Sequence, residues 1–198
     1  MEPLDPGGIL REEWANARGA IARFDRSAIE VRLLDAQECP RADLAVAAAA
    51  AGAVRALVEE RFAPLEALGE WPEEALLAIL LDCGREGSRA LLRDGAYLRC
   101  LGWRGPVPCR AGELWARLAD ETFPLAPGAA ELRPSLETLL RRGTLAERIL
   151  EALGPDPSRG ALRDVYGRLA DCIRDDRLFG EAGTSATKQL TREHPPPR

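Results

Sequence analysis

The sequence predicts an α+β protein that is predominantly helical, with one antiparallel β-hairpin packed against four to six helices. Three observations predict this class. Residues 20–33 follow the two-residue period of a strand pair, and most later segments carry apolar residues at helical spacing. Runs rich in Pro and Gly separate those segments. A chain of 198 residues is long enough to bury a sizeable core.

The predicted hairpin has two chemically different faces. A two- or four-residue turn folds the stretch on itself and places Phe24 opposite Ile29 on an apolar face. On the other face, Arg23 lies opposite Glu30. Side chains two apart in a strand point the same way, so Arg32 shares the face of Glu30. An Arg–Glu–Arg face of this kind suits one side of a phosphate- and metal-binding cleft.

A long helix is predicted after the hairpin, because Pro40 ends the second strand and Asp43 suits a helix N-terminus. We expect it to run to about Phe62. Its alanine-rich surface, Ala47–Ala51, suits close approach of another backbone, and we expect that backbone to be the apolar side of the hairpin. The apolar positions that recur at helical spacing are Leu44, Ala47, Ala51, Val54, Leu57 and Val58.

The remaining elements are predicted from local start and stop patterns. Pro72 opens a second helix, and residues 96–101 are interpreted as a short strand. Thr144 and Glu147 form a T-x-x-E capping box that splits one long helical stretch in two. Ser158 caps the final helix.

Composition excludes several classes of function. A net charge of −5 argues against general nucleic-acid binding, which needs a basic surface. The longest apolar run, residues 44–54, is too short for a membrane span of about 20 residues, so no membrane association is expected. The five cysteines form no CxxC pair, and reduced thiols in a cytoplasmic protein are the simplest interpretation.

The organisation along the chain is predicted as one main unit with two flanking segments. Residues 1–16 are interpreted as a leader, residues 17–179 as the folded unit, and residues 180–198 as a disordered tail. The tail contains the single histidine, His194, so no Cys–His or Ser–His dyad is expected.

Two stretches resemble one known family. The segment ARGAIARFDRSAIEVRLLDAQECPRADLAVA, residues 17–47, and the closing helices in residues 143–179 are similar to the C-terminal half of the glutamate–cysteine ligase and carboxylate–amine ligase family. That family belongs to the glutamine-synthetase-like superfamily. The matching core is I-E-V-R-x-x-D, which stands here as Ile29, Glu30, Val31, Arg32 and Asp35.

The resemblance implies an ATP-dependent ligase of glutathione biosynthesis. In the family, ATP phosphorylates a glutamate carboxylate, and an amine such as cysteine then displaces the phosphate. The cofactors implied are ATP and Mg²⁺. Glu30 would be a magnesium ligand, and Arg32 would be the catalytic residue that holds the phosphate or acyl phosphate. Arg23 is added on geometry alone, as a residue that orients Glu30 or reaches a phosphate of ATP. Asp35 would fix the loop or cap the next helix.

The sequence also departs from the family pattern. Family members carry an N-terminal half whose G-x-E-E-E-type strand supplies most of the metal site, and no such motif occurs here. We therefore expect a partial catalytic domain that is inactive alone and that is completed by a missing N-terminal half or by a homo-oligomer. The alternative is a non-catalytic helical interaction module, or a pseudoenzyme, derived from the same family.

Overall fold

The computed structural model describes residues 19–155 and 157–180. The predicted leader, and the predicted tail apart from Gly180, lie outside these residues. Two antiparallel strands, β1 (Ala20–Arg23) and β2 (Ala28–Val31), form the hairpin. The first three helices follow as α1 (Pro40–Val58), α2 (Leu65–Gly69) and α3 (Glu73–Glu86).

The central part of the chain is built around a second, very short strand pair. Strand β3 (Leu91–Leu92) pairs antiparallel with β4 (Cys109–Arg110), and helix α4 (Gly95–Cys100) lies between them in sequence. Helix α5 (Ala111–Thr122) starts directly after β4. The last three helices are α6 (Ala129–Arg142), α7 (Leu145–Leu153) and α8 (Arg159–Asp175).

The predicted fold class is confirmed, since the described residues contain eight α-helices and two small antiparallel strand pairs. The predicted start signals of α7 and α8 are present. Glu147 N–H donates to Thr144 Oγ1 over 3.2 Å, and Thr144 N–H donates to the Glu147 carboxylate over 2.7 Å. Ala161 N–H donates to Ser158 Oγ over 3.2 Å. In the described part of the chain, no helix is long and apolar enough to cross a membrane.

One predicted element has the wrong type. Residues 96–101 were expected to form a strand, but they lie almost wholly in α4. The Asp94 carboxylate accepts hydrogen bonds from Ala96 N (2.8 Å) and Tyr97 N (3.0 Å), which caps the helix. A short apolar run is compatible with either a strand or a helix, and here the N-cap residue Asp94 favours the helix.

The buried face of α1 also differs from the prediction. The expected inward face contains Leu44 and Val58, yet both are more than half exposed. The buried stripe lies on a neighbouring face of α1 and consists of small residues, namely Ala42, Ala45, Ala48, Ala49, Gly52 and Ala56. This stripe packs against α6 and α5, with Phe123 and Leu136 in the same core cluster, and not against the hairpin. Small side chains let helices approach closely, and this packing decides which face is buried.

Gly52 lies at the closest point of that contact. A Cβ atom at this position would overlap the carbonyl oxygen of Thr122 and would lie 2.9 Å from its carbonyl carbon. Gly84, in the interior of α3, has no atom within 4 Å of the corresponding point. Gly52 is therefore packed closely against a neighbouring backbone, whereas Gly84 has open space beside it.

Replacing Gly52 by Ala is expected to lower the free energy of unfolding by about 1–3 kcal/mol, because the added methyl group forces the α1–α5 contact apart. The matched substitution Gly84→Ala is expected to raise it by about 0.5–1 kcal/mol, since Ala favours the helix and meets nothing. Urea unfolding of the two variants measures both changes. Equal effects of the two substitutions would contradict the close contact.

Candidate functional site

The hairpin has the predicted faces but a different register. Phe24–Ser27 form a four-residue connection in which Ser27 adopts a left-handed conformation with φ of 48°. Ala22 pairs with Ile29, and Ile21 pairs with Glu30. The predicted register is wrong by two residues. Because side chains alternate between the two faces, a shift by two residues leaves each side chain on its predicted face. The two predicted faces are therefore present in the structure.

The structure brings the three predicted site residues together. Arg23 Nη1 donates a hydrogen bond to Glu30 Oε2 over 2.9 Å. Arg32 Nε lies 3.3 Å from Glu30 Oε1, so the carboxylate is held between two guanidinium groups. Arg32 is the least exposed of the three side chains, at 15%. Arg23 also pairs with Asp25 in the turn, at 3.3 Å.

The ion pairs of this cluster shift the pKa values of Asp25 and Arg23. The hydrogen bond from Arg23 is the largest influence, and it lowers the pKa of Asp25 despite the opposing effect of desolvation. The hydrogen bond to Asp25, followed by that to Glu30, raises the pKa of Arg23. Both groups therefore stay charged at neutral pH, which leaves a fixed ionic network on the polar face of the hairpin.

The described residues do not by themselves fit a magnesium site at Glu30. Both carboxylate oxygens of Glu30 already face a guanidinium group, and nearby positive charge opposes a divalent cation. Mg²⁺ prefers six oxygen ligands, and no group of three or more potential metal ligands occurs among residues 19–155 and 157–180. Guanidinium groups are the side chains of this cluster that suit a phosphate or a carboxylate, and here both also contact Glu30.

The opposite face of the hairpin is apolar and exposed. Phe24 is 91% exposed, Ile29 54% and Val31 39%. Within the described residues, β1 and β2 form a sheet of two strands, with no third strand beside either of them. Unpaired strand edges and an uncovered apolar face are features that proteins normally bury or pair. The hairpin is therefore suited to association with further polypeptide.

A buried ion pair fixes the segment that leads from the hairpin into α1. Glu38 and Arg148 have side-chain exposures of 0% and 1%, and Arg148 Nη1 donates to Glu38 Oε1. Arg148 Nη2 donates to Glu38 Oε2 over 3.2 Å. The backbone of Phe179 completes the arrangement, with its N–H donating to Glu38 over 3.0 Å and its carbonyl accepting from Arg148 over 3.2 Å. Three distant parts of the chain thus meet at one carboxylate.

The pKa of Glu38 reflects two opposing influences. Burial raises it, but the hydrogen bonds from Arg148, from its own backbone and from Phe179, together with the charge of Arg148, outweigh burial and leave the pKa below its ordinary value. The Nε atom of Arg148 is buried and has no hydrogen-bond partner among the described residues. The pair is thus ionised, with one donor left unsatisfied.

The sequence prediction missed this pair. No role is predicted for Glu38 from the sequence. A charged residue does stand out in α7, because Arg148 occupies the same helical face as Leu145 and Ile149. A charge within an apolar stripe indicates a buried partner. Nothing in the sequence identifies that partner, which lies 110 residues away.

Four of the five cysteines have thiols whose surroundings disfavour the reactive thiolate. All five are free thiols. Burial is the main influence that raises the pKa of Cys39, Cys83, Cys109 and Cys172, which keeps these thiols protonated at neutral pH. The predicted site therefore remains the hairpin.

Comparison with known proteins identifies one relative without a known function. An uncharacterized protein of Archaeoglobus fulgidus is 40% identical to this chain over 171 residues, which correspond to 86% of this chain and 39% of that protein. The chain thus spans well under half the length of this relative. No model of a known protein family matches the chain, and neither does any solved structure.

Removing one partner of the buried pair is expected to destabilise the fold. Arg148→Met should lower the free energy of unfolding by about 3–5 kcal/mol, because it leaves the Glu38 carboxylate buried without its counter-charge. Adding Glu38→Gln to that variant should recover part of the loss, since the buried charge is removed and the acceptor for Phe179 N–H remains. Denaturant unfolding measures the three proteins.

A surface ion pair provides the control for this comparison. Arg41 and Asp176 are about half exposed and lie 3.0 Å apart. Arg41→Met is expected to cost about 1 kcal/mol or less. A similar loss in Arg41→Met and Arg148→Met would contradict the special role of the buried pair.

Acid should destabilise the protein partly through Glu38. A carboxyl with a lowered pKa in the folded state contributes stability that is complete above its unfolded pKa and is lost as the pH falls through its folded pKa. The free energy of unfolding should therefore decrease as the pH falls below about 5, and it should decrease less steeply in Glu38→Gln. Parallel pH profiles for the two proteins would show that Glu38 is not the linked group.

Proposed function

We propose that this chain is the C-terminal part of an ATP-dependent carboxylate–amine ligase of the glutamate–cysteine ligase type. The observation that carries the proposal is the cluster of Arg23, Glu30 and Arg32 on one face of the hairpin. The I-E-V-R-x-x-D motif that resembles the family lies on β2 and the residues after it, so the motif and the cluster coincide.

The reaction implied by the resemblance has two steps. A glutamate carboxylate oxygen attacks the γ-phosphorus of ATP, the bond to the β-phosphate oxygen breaks, and ADP leaves. The amine nitrogen of cysteine, or of another amine, then attacks the acyl carbon. The bond between that carbon and the phosphate oxygen breaks, inorganic phosphate leaves, and the nitrogen loses a proton.

Within this proposal, Arg32 is the catalytic residue. Negative charge accumulates on the transferring phosphoryl group and on the tetrahedral intermediate, and a fixed guanidinium stabilises both. Glu30 holds Arg32 in place through the 3.3 Å ion pair, and Arg23 holds Glu30 from the other side. Arg23 is thus a positioning residue. Magnesium ligation by Glu30 remains part of the proposal only together with carboxylates from further polypeptide.

The proposal requires another polypeptide segment or a second copy to complete the site. The exposed apolar face of the hairpin and its two-stranded sheet support such association. The A. fulgidus relative also supports it, because more than half of that protein lies outside the matched stretch. The completing element would supply the remaining strands and the acidic metal ligands.

A second candidate is a non-catalytic interaction module derived from the same family. The exposure of Phe24 and Ile29 favours it, since such a face suits a protein partner whether or not chemistry follows. The two candidates differ in one measurable property. A ligase consumes ATP in the presence of glutamate and an amine, whereas an interaction module only forms a complex.

The decisive variant is Arg32→Ala. The chain is co-expressed with the unmatched part of the A. fulgidus relative, and ADP formation that depends on both glutamate and cysteine is measured. Arg32→Ala is expected to lower kcat/KM about 10²–10³-fold, because it removes a charge that stabilises the transition state. Arg26→Ala, an exposed turn arginine beside Asp25, is the matched control and should change the rate less than twofold.

One result would contradict the role of Arg32, and another would contradict the ligase assignment as a whole. Full activity in Arg32→Ala would exclude this arginine from catalysis. Complex formation without any glutamate-dependent ADP formation would favour the interaction module.

A further inference from the structure

A polar cleft lies on the helical part of the molecule, in elements separate from the hairpin. It has a volume of about 520 Å³ and lies between the turn at Gly87–Arg89, the start of α5, the end of α6 and the start of α7. Four arginines line it, and we refer to it as the arginine cleft: Arg89, Arg110, Arg141 and Arg142.

The floor of the arginine cleft is made of small residues around one fixed carboxylate. Gly143 has a φ of 85°, and a Cβ atom there would lie 2.6 Å from Glu147 Oε2. A Cβ atom at Gly112 would lie 3.2 Å from Ser88. Ser88 Oγ donates to Glu147 Oε1 over 2.8 Å, and Thr144 N–H donates to Glu147 Oε2 over 2.7 Å. The floor therefore depends on two glycines and is held by several hydrogen bonds.

Two of the three acidic residues that line the arginine cleft, Glu113 and Glu147, have hydrogen-bond partners within the protein. Burial raises the pKa of Glu147, but hydrogen bonds from Thr144 and Ser88 outweigh it and hold the pKa below its ordinary value. Glu113 accepts a hydrogen bond from Arg110 N–H over 2.7 Å at the start of α5. These two glutamates therefore accept from the backbone at the start of α5 and of α7, while the arginine side chains are charged donors that line the same cleft.

Three of the four arginines have no carboxylate partner among the described residues. Among residues 19–155 and 157–180, Arg110, Arg141 and Arg142 form no ion pair with a carboxylate, while Arg142 donates to the carbonyl of Phe179 over 3.1 Å. Arg89 lies 3.8 Å from Glu147. Four arginines against Glu113, Glu147 and Glu151 leave a formal charge of +1 in the cleft, in a chain whose net charge is −5.

We propose that the arginine cleft binds a small molecule that contains a pyrophosphate group. Guanidinium groups bind phosphate oxygens in a bidentate manner, and several of them around one cleft suit a group with more than one phosphate. The volume exceeds what a single orthophosphate ion needs and lies in the range of small-molecule sites. A free diphosphate and the diphosphate of a nucleotide share this chemistry. This site is independent of the ligase function proposed for the hairpin.

Isothermal titration of the chain with sodium pyrophosphate, ATP and orthophosphate, without divalent cations, tests the site. Pyrophosphate is expected to bind at one site per chain, and more tightly than orthophosphate. The double variant Arg110→Ser/Arg141→Ser should weaken this binding at least tenfold. Arg104→Ser/Arg163→Ser removes the same charge from exposed positions outside the cleft and should change it less than twofold.

Each outcome of the titration has a definite meaning. ATP binding that is much tighter than pyrophosphate binding supports a nucleotide ligand, and equal binding supports recognition of the phosphates alone. Absence of saturable pyrophosphate binding, equally tight orthophosphate binding, or an equal loss in the control variant would overturn the proposal. Circular dichroism checks that the double variant is folded, and the single variant Arg141→Ser replaces it if it is not.

Arg32→Ala separates this proposal from the ligase proposal. This variant is expected to bind pyrophosphate as the unmodified chain does, because Arg32 lies on the hairpin and does not line the arginine cleft. A loss of pyrophosphate binding in Arg32→Ala would place the anion at the hairpin and would overturn the arginine cleft. The ligase assay can fail without affecting this result.

Discussion

The buried contact of Glu38, Arg148 and the Phe179 backbone is the constraint on which the arrangement of the chain depends. It joins the segment after the hairpin, a helix near the C-terminus and the residues that follow the last helix. Burying two charges carries a large desolvation cost, which offsets much of the attraction between them. Such a pair therefore fixes a specific geometry more than it adds net stability. Each member contacts the other two, since Glu38 accepts from both Arg148 and Phe179 N–H, and Arg148 also donates to the Phe179 carbonyl.

The position of the hairpin follows from this contact. Strand β2 ends at Val31, and only a short segment separates it from Glu38. Cys39 and Ala42 then pack with Leu139 and Leu178 in a small apolar cluster beside the ion pair. The base of the hairpin is thus attached to the helical body, while its tip and its apolar face extend into solvent. A hairpin attached at its base, with an exposed apolar face, is suited to joining another structural element.

Local patterns in the sequence were sufficient for some features of the fold and insufficient for others. The capping box at Thr144 and the two faces of the hairpin depend on residues close in sequence, and both were predicted. The hairpin register failed because a turn with a left-handed Ser27 has no strong sequence signature. For the site, clustering of Arg23, Glu30 and Arg32 was predictable from strand parity alone. The arginine cleft was not, because four elements that are distant in sequence assemble it.

The alanine stripe of α1 has a consequence for how this sequence can change over time. The buried positions leave little room for larger side chains: Ala45 is fully buried in the core cluster, and the backbone of Thr122 lies against Gly52. The outward positions of α1, such as Leu44, lack this restriction. Substitutions that enlarge a side chain are therefore expected to be tolerated on the exposed side of α1 and to be disruptive on its buried side.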